Sequence, residues 1–443
     1  MIYFAQSSQN QTDLIVKEAE RAGAERVKAT ASGVQFSGSL EVGYRFCLTT
    51  RIASRVLQAL YFDEHISSPD ELHEKCKLIP WEEYIDPSKT FQLTQTVQAC
   101  NWIKNSHFAS LRVKDAIVDR IREHFNEERP SVDTDNPDIT FHLHIKSEKV
   151  IIYIDFSGEG LFKRGYRSDS TDAILKEHLA AAVLYRSDWY KTVLDNNPGV
   201  FLDPFCGSGT LVVEAALLAR DIAPGLIRKQ PYAFEKLSSF DAEIYEKVLS
   251  ELSERAEEAK NREIKIYASD ISRTAVEIAK AAALKAGVYD DITFSVKDFT
   301  LFTSEDVPSS KGYIVTDPPY GIRMKDFDES KLYSKLGAVC QENFKGWKIS
   351  ILCGDSELLS LIDMKPERTN SLFNGGILCQ LNACDLMGRF FVTIPACELV
   401  AFFGRLILFK IYSCSVYYRD LGNAATAVRI ECQRIVSNDD SAG

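Results

Sequence analysis

Residues 203–210 read D-P-F-C-G-S-G-T. An apolar V-F-L-D (200–203) precedes them and a helix-patterned T-L-V-V-E-A-A-L-L-A-R (210–220) follows. A turn with no Cβ at two positions lets backbone N–H groups approach a ligand, and the next helix aims its positive end at the same spot. That turn belongs at the carboxyl edge of a parallel sheet. Further short apolar strands fit this: K-I-Y-A-S-D (265–270), I-T-F-S-V (292–296), Y-I-V-T-D (313–317) and K-I-S-I-L-C (348–353). Helical stretches such as 273–287 separate them. The alternation predicts a doubly wound, mostly parallel α/β sheet across 161–386. An antiparallel hairpin at N-G-G (374–376) supplies its last strand.

A lone G-x-G is equally a tight strand-to-helix turn with no ligand. The neighbouring strand ends make it more specific. Asp203, Phe205, Cys206, Gly207, Gly209 and Thr210 form the first turn. Asp270 with Ile271, and Asp298 with Phe299, end the next two strands. One carboxylate suits a ribose diol, and the other an adenine amino group with an aromatic ring beside it. Asp270 follows Gly207 by 63 positions (270 − 207), far more than the roughly twenty of a dinucleotide site. The excess, 221–264, includes a charged helical run at 241–262 that reads as a solvated insertion. The spacing disfavours NAD, and the ligand expected at the glycine turn is a methionine carboxylate.

T-D-P-P-Y-G (316–321) completes the pattern. An aromatic amine is a poor nucleophile because its lone pair is delocalised into the ring. Acceptors aimed at its hydrogens localise that pair and stabilise developing charge. Asp317 offers a carboxylate, Pro318 a carbonyl fixed by the rigid Pro319, and Tyr320 a face for a flipped base. The plain alternative is a Pro-Pro turn after a strand. Beside the glycine turn, the motif points to methyl transfer from S-adenosylmethionine to a nucleobase nitrogen.

A net charge of −11 disfavours a generally basic nucleic-acid binder and leaves room for a local patch. The odd count of 11 cysteines includes no C-x-x-C, which favours reduced thiols in a cytoplasmic protein and no metal site. Residues 1–160 mix helices, read at 11–22, 51–60 and 111–125, with strands at 139–146 and 149–156 that form a hairpin. Residues 387–443 open on an intensely apolar run broken by Pro395, Glu398, Arg405 and Lys410. They read as an extra packed segment, a partner-covered or membrane-surface segment, or a non-native reading frame or poorly ordered tail, and no membrane span is expected.

With these residues assembled, the chain resembles the THUMP-containing N2-guanine methyltransferases of bacterial 23S ribosomal RNA, an older name for which is N6-adenine-specific methylase. The resemblance rests on G-L-F-K-R-G-Y-R (160–167) with L-K-E-H-L-A-A-A-V-L (175–184), and on 203–216. It rests also on A-R-D-I-A-P-G-L (219–226) with F-E-K-L (234–237), and on T-D-P-P-Y-G-I-R (316–323). It covers roughly 1–386. It implies a Rossmann-like class I methyltransferase domain over 161–386. It implies an α+β RNA-binding region over 1–160, with a small ferredoxin-like unit before a THUMP domain at 45–160. Asp203, Gly207, Gly209, Asp270 and Asp298 would then hold S-adenosylmethionine, and 317–320 would be the catalytic motif. Members more often carry Asn where Asp317 stands, and both residue types serve exocyclic-amine methylation. The expected substrate is 23S rRNA or its precursor, with no obligatory protein partner.

K-R-G-Y-R (163–167) reads either as a charged linker or as a strip with Lys163, Arg164 and Arg167 on RNA phosphate and Tyr166 near the pocket. Rival functions are a DNA N6-adenine methyltransferase, a tRNA N2-guanine methyltransferase, and a non-catalytic RNA-binding assembly factor. The N-terminal region is expected to be separable, so that 161–443 alone keeps donor binding.

Overall fold

The computed structural model describes residues 1–167, 175–321 and 328–386, and the backbone strands at 412–419 and 427–434. The first region contains strands β1 (Ile2–Gln6), β2 (Glu25–Thr30), β3 (Gly33–Ser37), β4 (Arg55–Asp63), β5 (Thr90–Gln98), β6 (Ser131–Val132), β7 (Ile139–Lys146) and β8 (Lys149–Asp155). They make one eight-stranded sheet, ordered β2-β3-β1-β4-β8-β7-β5-β6. The antiparallel β4–β8 pair therefore fuses two smaller α+β units into a single sheet. Its interior is apolar, with Tyr3, Phe36, Phe46, Phe91, Trp81 and Phe141 fully buried.

The β7–β8 hairpin turns at Ser147, whose φ of 57° is left-handed. The first helix runs Thr12–Arg21 and buries Leu14, Ile15 and Ala19. The third expected helix is present as Ser106–His124. The expected helix at 51–60 is not. Residues Arg55–Asp63 are β4, and the helix lies earlier at Leu40–Thr49, where the Ser39 side chain accepts from Val42 N–H. Helix propensity is a weak preference, and pairing of β4 with both β1 and β8 overrides it.

The second region contains β9 (Phe201–Asp203), β10 (Ile266–Asp270), β11 (Ile292–Val296), β12 (Tyr313–Thr316), β13 (Lys348–Cys353), β14 (Arg368–Asn374) and β15 (Ile377–Asp385). Their order is β11-β10-β9-β12-β13-β15-β14. Neighbours from β11 to β13 run parallel, and β15 is antiparallel to both β13 and β14. The fold is thus a Rossmann-like, mostly parallel sheet. Strand order reverses between β9 and β12, and such a switch point opens a crevice at the carboxyl edge.

The insertion helix Ala242–Glu258 is not solvated all round. Val248 and Leu252 are buried, while Arg45 pairs with Glu251 and Lys247 with Glu41 of the first region. Tyr44 also packs on Phe234, Phe240 and Tyr245. Consequently Met1–Leu386 forms one compact unit. Met387–Gly443 is a separate unit, in which β16 (Tyr412–Arg419) and β17 (Ala427–Arg434) pair antiparallel. The apolar run at 390–411 lies outside the described residues. Among the described residues, no helix is long and apolar enough to cross a membrane.

Candidate active site

The chain leaves β9 at Asp203, turns through Gly207 and Gly209, and enters the helix Thr210–Ala219. Both glycines have left-handed φ, 52° and 84°, where an L side chain is strained. Their surroundings differ. A Cβ on Gly209 would lie 2.7 Å from Cβ of Ala279, so this glycine lets two helices approach. A Cβ on Gly207 would meet nothing within 4 Å, so its face is open. The turn is held from below: Cys206 N–H donates to the Ser269 carbonyl at 2.8 Å, and Gly207 N–H donates to the Asp270 carboxylate at 3.0 Å.

The three acidic strand ends sit side by side. Asp203, on β9, is buried and accepts from Thr316 Oγ1 at 2.7 Å and from Phe205 N–H at 3.2 Å. Burial pushes its pKa up to about 7; the negative charges of Asp317 and Asp270 add to the rise, while the two hydrogen bonds oppose it. Asp270 ends β10 and also accepts from Ser272 N–H at 2.8 Å. Asp298 follows β11 and accepts from Thr300 N–H at 2.8 Å. Phe299 is buried with its ring centroid 5.6 Å from that of Phe205, whereas Ile271 is 70% exposed beside Asp270. Cys206 and Thr210 are buried, and burial raises the Cys206 thiol well above its ordinary value.

Asp317 and Pro318 directly follow β12, next to Asp203. The Tyr333 hydroxyl reaches the Pro318 carbonyl at 3.5 Å and Cys353 Sγ at 3.2 Å. Thr316 and Tyr333 were not singled out from sequence. The role of a threonine before the motif depends on which strand lies alongside, which no local pattern gives.

Tyr320 departs from expectation. It is 3% exposed, and its hydroxyl lies 3.1 Å from Asn374 Nδ2 and 3.4 Å from Cys379 Sγ. A Cβ on Gly354 would come within 2.8 Å of its ring. The β14–β15 hairpin covers the ring, so it anchors the D-P-P segment and presents no face for stacking. Ile322 and Arg323, the last residues of the matched motif, lie outside the described residues.

The K-R-G-Y-R strip is also corrected. Arg164 and Tyr166 are each 1% exposed, which removes Arg164 from any contact with RNA phosphate. Both serve Glu214, which is fully buried one turn into the helix after the glycines. Tyr166 OH donates to Glu214 at 3.1 Å, Arg164 Nε lies 3.5 Å away, and Arg51 of the first region approaches to 3.7 Å. Arg164 also donates to the Arg51 carbonyl at 2.6 Å. Lys163 is exposed and paired with Glu159 at 2.9 Å. Arg167 pairs with Glu177 at 3.2 Å and lines a cavity of about 270 Å³ with Tyr166, Ser208 and Lys285. Arg167 and Tyr166 therefore lie beside the glycine turn. Among the described residues, no group of three or more His, Cys, Asp or Glu is arranged to hold a metal ion.

Three family descriptions match the chain: an RlmL ferredoxin-like domain at 4–57, a THUMP domain at 67–155, and an RMKL-like methyltransferase domain at 164–383. The ribosomal RNA large subunit methyltransferase K/L of Shewanella amazonensis is 38% identical over 386 residues, covering 87% of this chain and 53% of that protein. The chain thus spans about half the length of the curated relatives it matches. Among solved structures, SMU.472, a candidate methyltransferase complexed with SAH, superposes with a TM-score of 0.76 at 25% identity, covering 88% of this chain and 98% of that one. A predicted N6-adenine-specific DNA methylase from Listeria monocytogenes gives a TM-score of 0.75 at 27% identity, covering 86% of this chain and 95% of that one.

Proposed function

This chain belongs to the THUMP-containing, RMKL-like methyltransferases, and from that premise we propose that it methylates large-subunit ribosomal RNA at the exocyclic N2 of a guanine, with S-adenosylmethionine as donor. The observation that carries the reading is the convergence of three strand ends on one edge. Asp203 and Asp317 end adjacent strands, Asp270 ends the next, and the open face of Gly207 lies among them.

The residues present fit the donor. The open face of Gly207 lies at the positive end of the helix Thr210–Ala219 and suits the methionine carboxylate. Asp270 suits the ribose diol, while Asp298, Phe299 and Ile271 suit the adenine. When bound, S-adenosylmethionine supplies an electrophilic methyl group. Asp317 and the Pro318 carbonyl accept from the two amine hydrogens of the target, which aligns its lone pair and stabilises positive charge as it develops. Asp317 also takes the proton that the amine must lose. Pro319 holds that geometry rigid, and Tyr320 anchors the segment through Asn374.

The THUMP match favours RNA over DNA, and the K/L relatives favour large-subunit rRNA. An rRNA substrate puts the enzyme in the cytoplasm. The deciding experiment incubates the protein with labelled donor and separated rRNA, tRNA and DNA, followed by nucleoside mass analysis. N2-methylguanine in 23S rRNA is the expected product. N6-methyladenine in DNA, N2-methylguanine in tRNA, or no transfer to any of them would replace this reading with the corresponding rival.

A further inference from the structure

A cavity of about 520 Å³ lies between the first region and the methyltransferase domain. Five arginines line it: Arg21, Arg45, Arg51, Arg255 and Arg262. So do three carboxylates, Glu18, Asp221 and Glu251. It is not the donor site. Leu218 and Asp221 mark the far end of the helix that starts at the glycine turn, and Arg262 precedes β10. These belong to the amino edge of the sheet, opposite the edge that carries Asp203, Asp270 and Asp317.

The carboxylates pair with some of the arginines and leave others. Glu251 is taken by Arg45 at 2.5 Å, and Asp221 by Arg255 at 2.9 Å. Glu18 is buried and accepts only neutral donors: Thr50 Oγ1 at 2.6 Å, Arg51 N–H at 2.9 Å and Tyr185 OH at 3.2 Å, with Ile52 N–H at 3.4 Å. Two guanidiniums remain, Arg21 and Arg262. Arg21 donates to the Tyr190 hydroxyl at 2.7 Å, and Arg262 to the Ala219 carbonyl at 3.0 Å. Among the described residues neither has a carboxylate within ion-pair distance, and Glu18 acts on Arg21 only from farther away. Arg51 is 5% exposed and forms an ion pair with Glu214 at 3.7 Å; its Nη2 donates to the carbonyls of Ile222 at 2.5 Å and Leu217 at 3.4 Å, and its Nη1 makes no hydrogen bond.

Grouping five guanidiniums around one concavity, two of them without an ion-paired carboxylate, costs free energy unless an anion joins them. A chain of net charge −11 makes such a positive pocket stand out, and its walls focus the field. Guanidinium donors match oxyanions in pairs, phosphate above all. Beside them, the Tyr185 and Tyr190 rings lie with centroids 4.4 Å apart, an aromatic wall suited to a flat ring. The volume falls in the range of small-ligand sites.

We propose that this cavity is a second binding site, for a phosphate-bearing ligand of nucleotide type, held by Arg21 and Arg262 beside the Arg51–Glu214 pair. Such a ligand would touch both regions at once and so strengthen their junction. The phosphate can come from a free nucleotide or from an RNA backbone.

Calorimetry of the full chain with pyrophosphate and with GTP, at low and physiological salt, tests this. Both bind, GTP the more tightly, and affinity falls as salt rises. The R21Q/R262Q variant binds GTP at least about 10-fold more weakly, with unchanged affinity for S-adenosylmethionine. Arg21 is exposed, so R21Q alone serves if the double variant folds poorly. Competition by a large-subunit rRNA fragment assigns the phosphate to RNA, and its absence assigns it to a free nucleotide. No binding of either probe up to about 1 mM, or equal affinity in the variants, overturns the proposal.

Discussion

The Thr316 hydroxyl donates to Asp203 Oδ1 across 2.7 Å, tying the carboxyl ends of β12 and β9 together at the base of the candidate donor site. Burial holds the Asp203 pKa at about 7 against an ordinary value of 3.8. The sign follows from linkage. The folded state binds this proton more tightly than the unfolded state, so Asp203 favours folding at acid pH and loses that contribution as pH rises from about 4 through about 7. Asp203→Asn should flatten this slope in urea unfolding measured across that range. Thr316→Val removes a hydrogen bond that favours the charged form, so the loss should shift to higher pH. A slope unchanged in Asp203→Asn would remove Asp203 as its source.

The two glycines of the turn should separate by mutation. Gly209→Ala forces a Cβ to 2.7 Å from Ala279 and adds left-handed strain of about 1–2 kcal/mol, so its melting temperature should drop well below that of Gly207→Ala. Gly207→Ala bears similar backbone strain with no clash, yet puts a methyl where the donor carboxylate is expected. It should lose donor affinity out of proportion to its stability. Equal donor affinity in Gly207→Ala and wild type, by calorimetry, would place the donor elsewhere.

Asp270 and Asp317 should divide binding from chemistry. Asp270→Ala removes the proposed ribose partner and the acceptor of Gly207 N–H, so donor affinity should fall severely. Asp317→Ala should keep donor affinity and lose turnover by about 10²–10³, the scale of one removed electrostatic contact of about 2.7–4 kcal/mol. Turnover within a few-fold of wild type in Asp317→Ala would rule out its role on the acceptor amine.

What was legible in the sequence was local. The parallel strands, the glycine turn and the β7–β8 hairpin each announce themselves through adjacent residues. What escaped depends on packing between distant segments. The 51–60 stretch looked helical because nothing nearby reveals the partners that make Arg55–Asp63 a central strand. Arg164 looked like a phosphate contact because its partner Glu214 lies 50 residues on (214 − 164), and a buried arginine is spelled like an exposed one. Tyr320 looked free to stack because the hairpin carrying Asn374 and Cys379 folds over it from more than fifty residues away.

The sequence suggests that 161–443 alone keeps donor binding while losing most activity on ribosomal RNA, but the packing argues against the retained binding. Removing them takes away Arg51, one of two arginines facing the buried Glu214, and uncovers Phe234, which Tyr44 and Phe156 pack against. A Cβ on Gly225 would meet Leu48 at 2.3 Å, so the two regions touch as closely as the layers of one core. Glu214→Gln keeps the shape but leaves Arg51 and Arg164 buried without a counter-charge. The expected loss is about 3–5 kcal/mol in denaturant unfolding. A chain starting at residue 161 should lose cooperative unfolding and donor binding together. If it unfolds cooperatively and binds S-adenosylmethionine like the full chain, the junction is an accessory contact and the two regions fold independently.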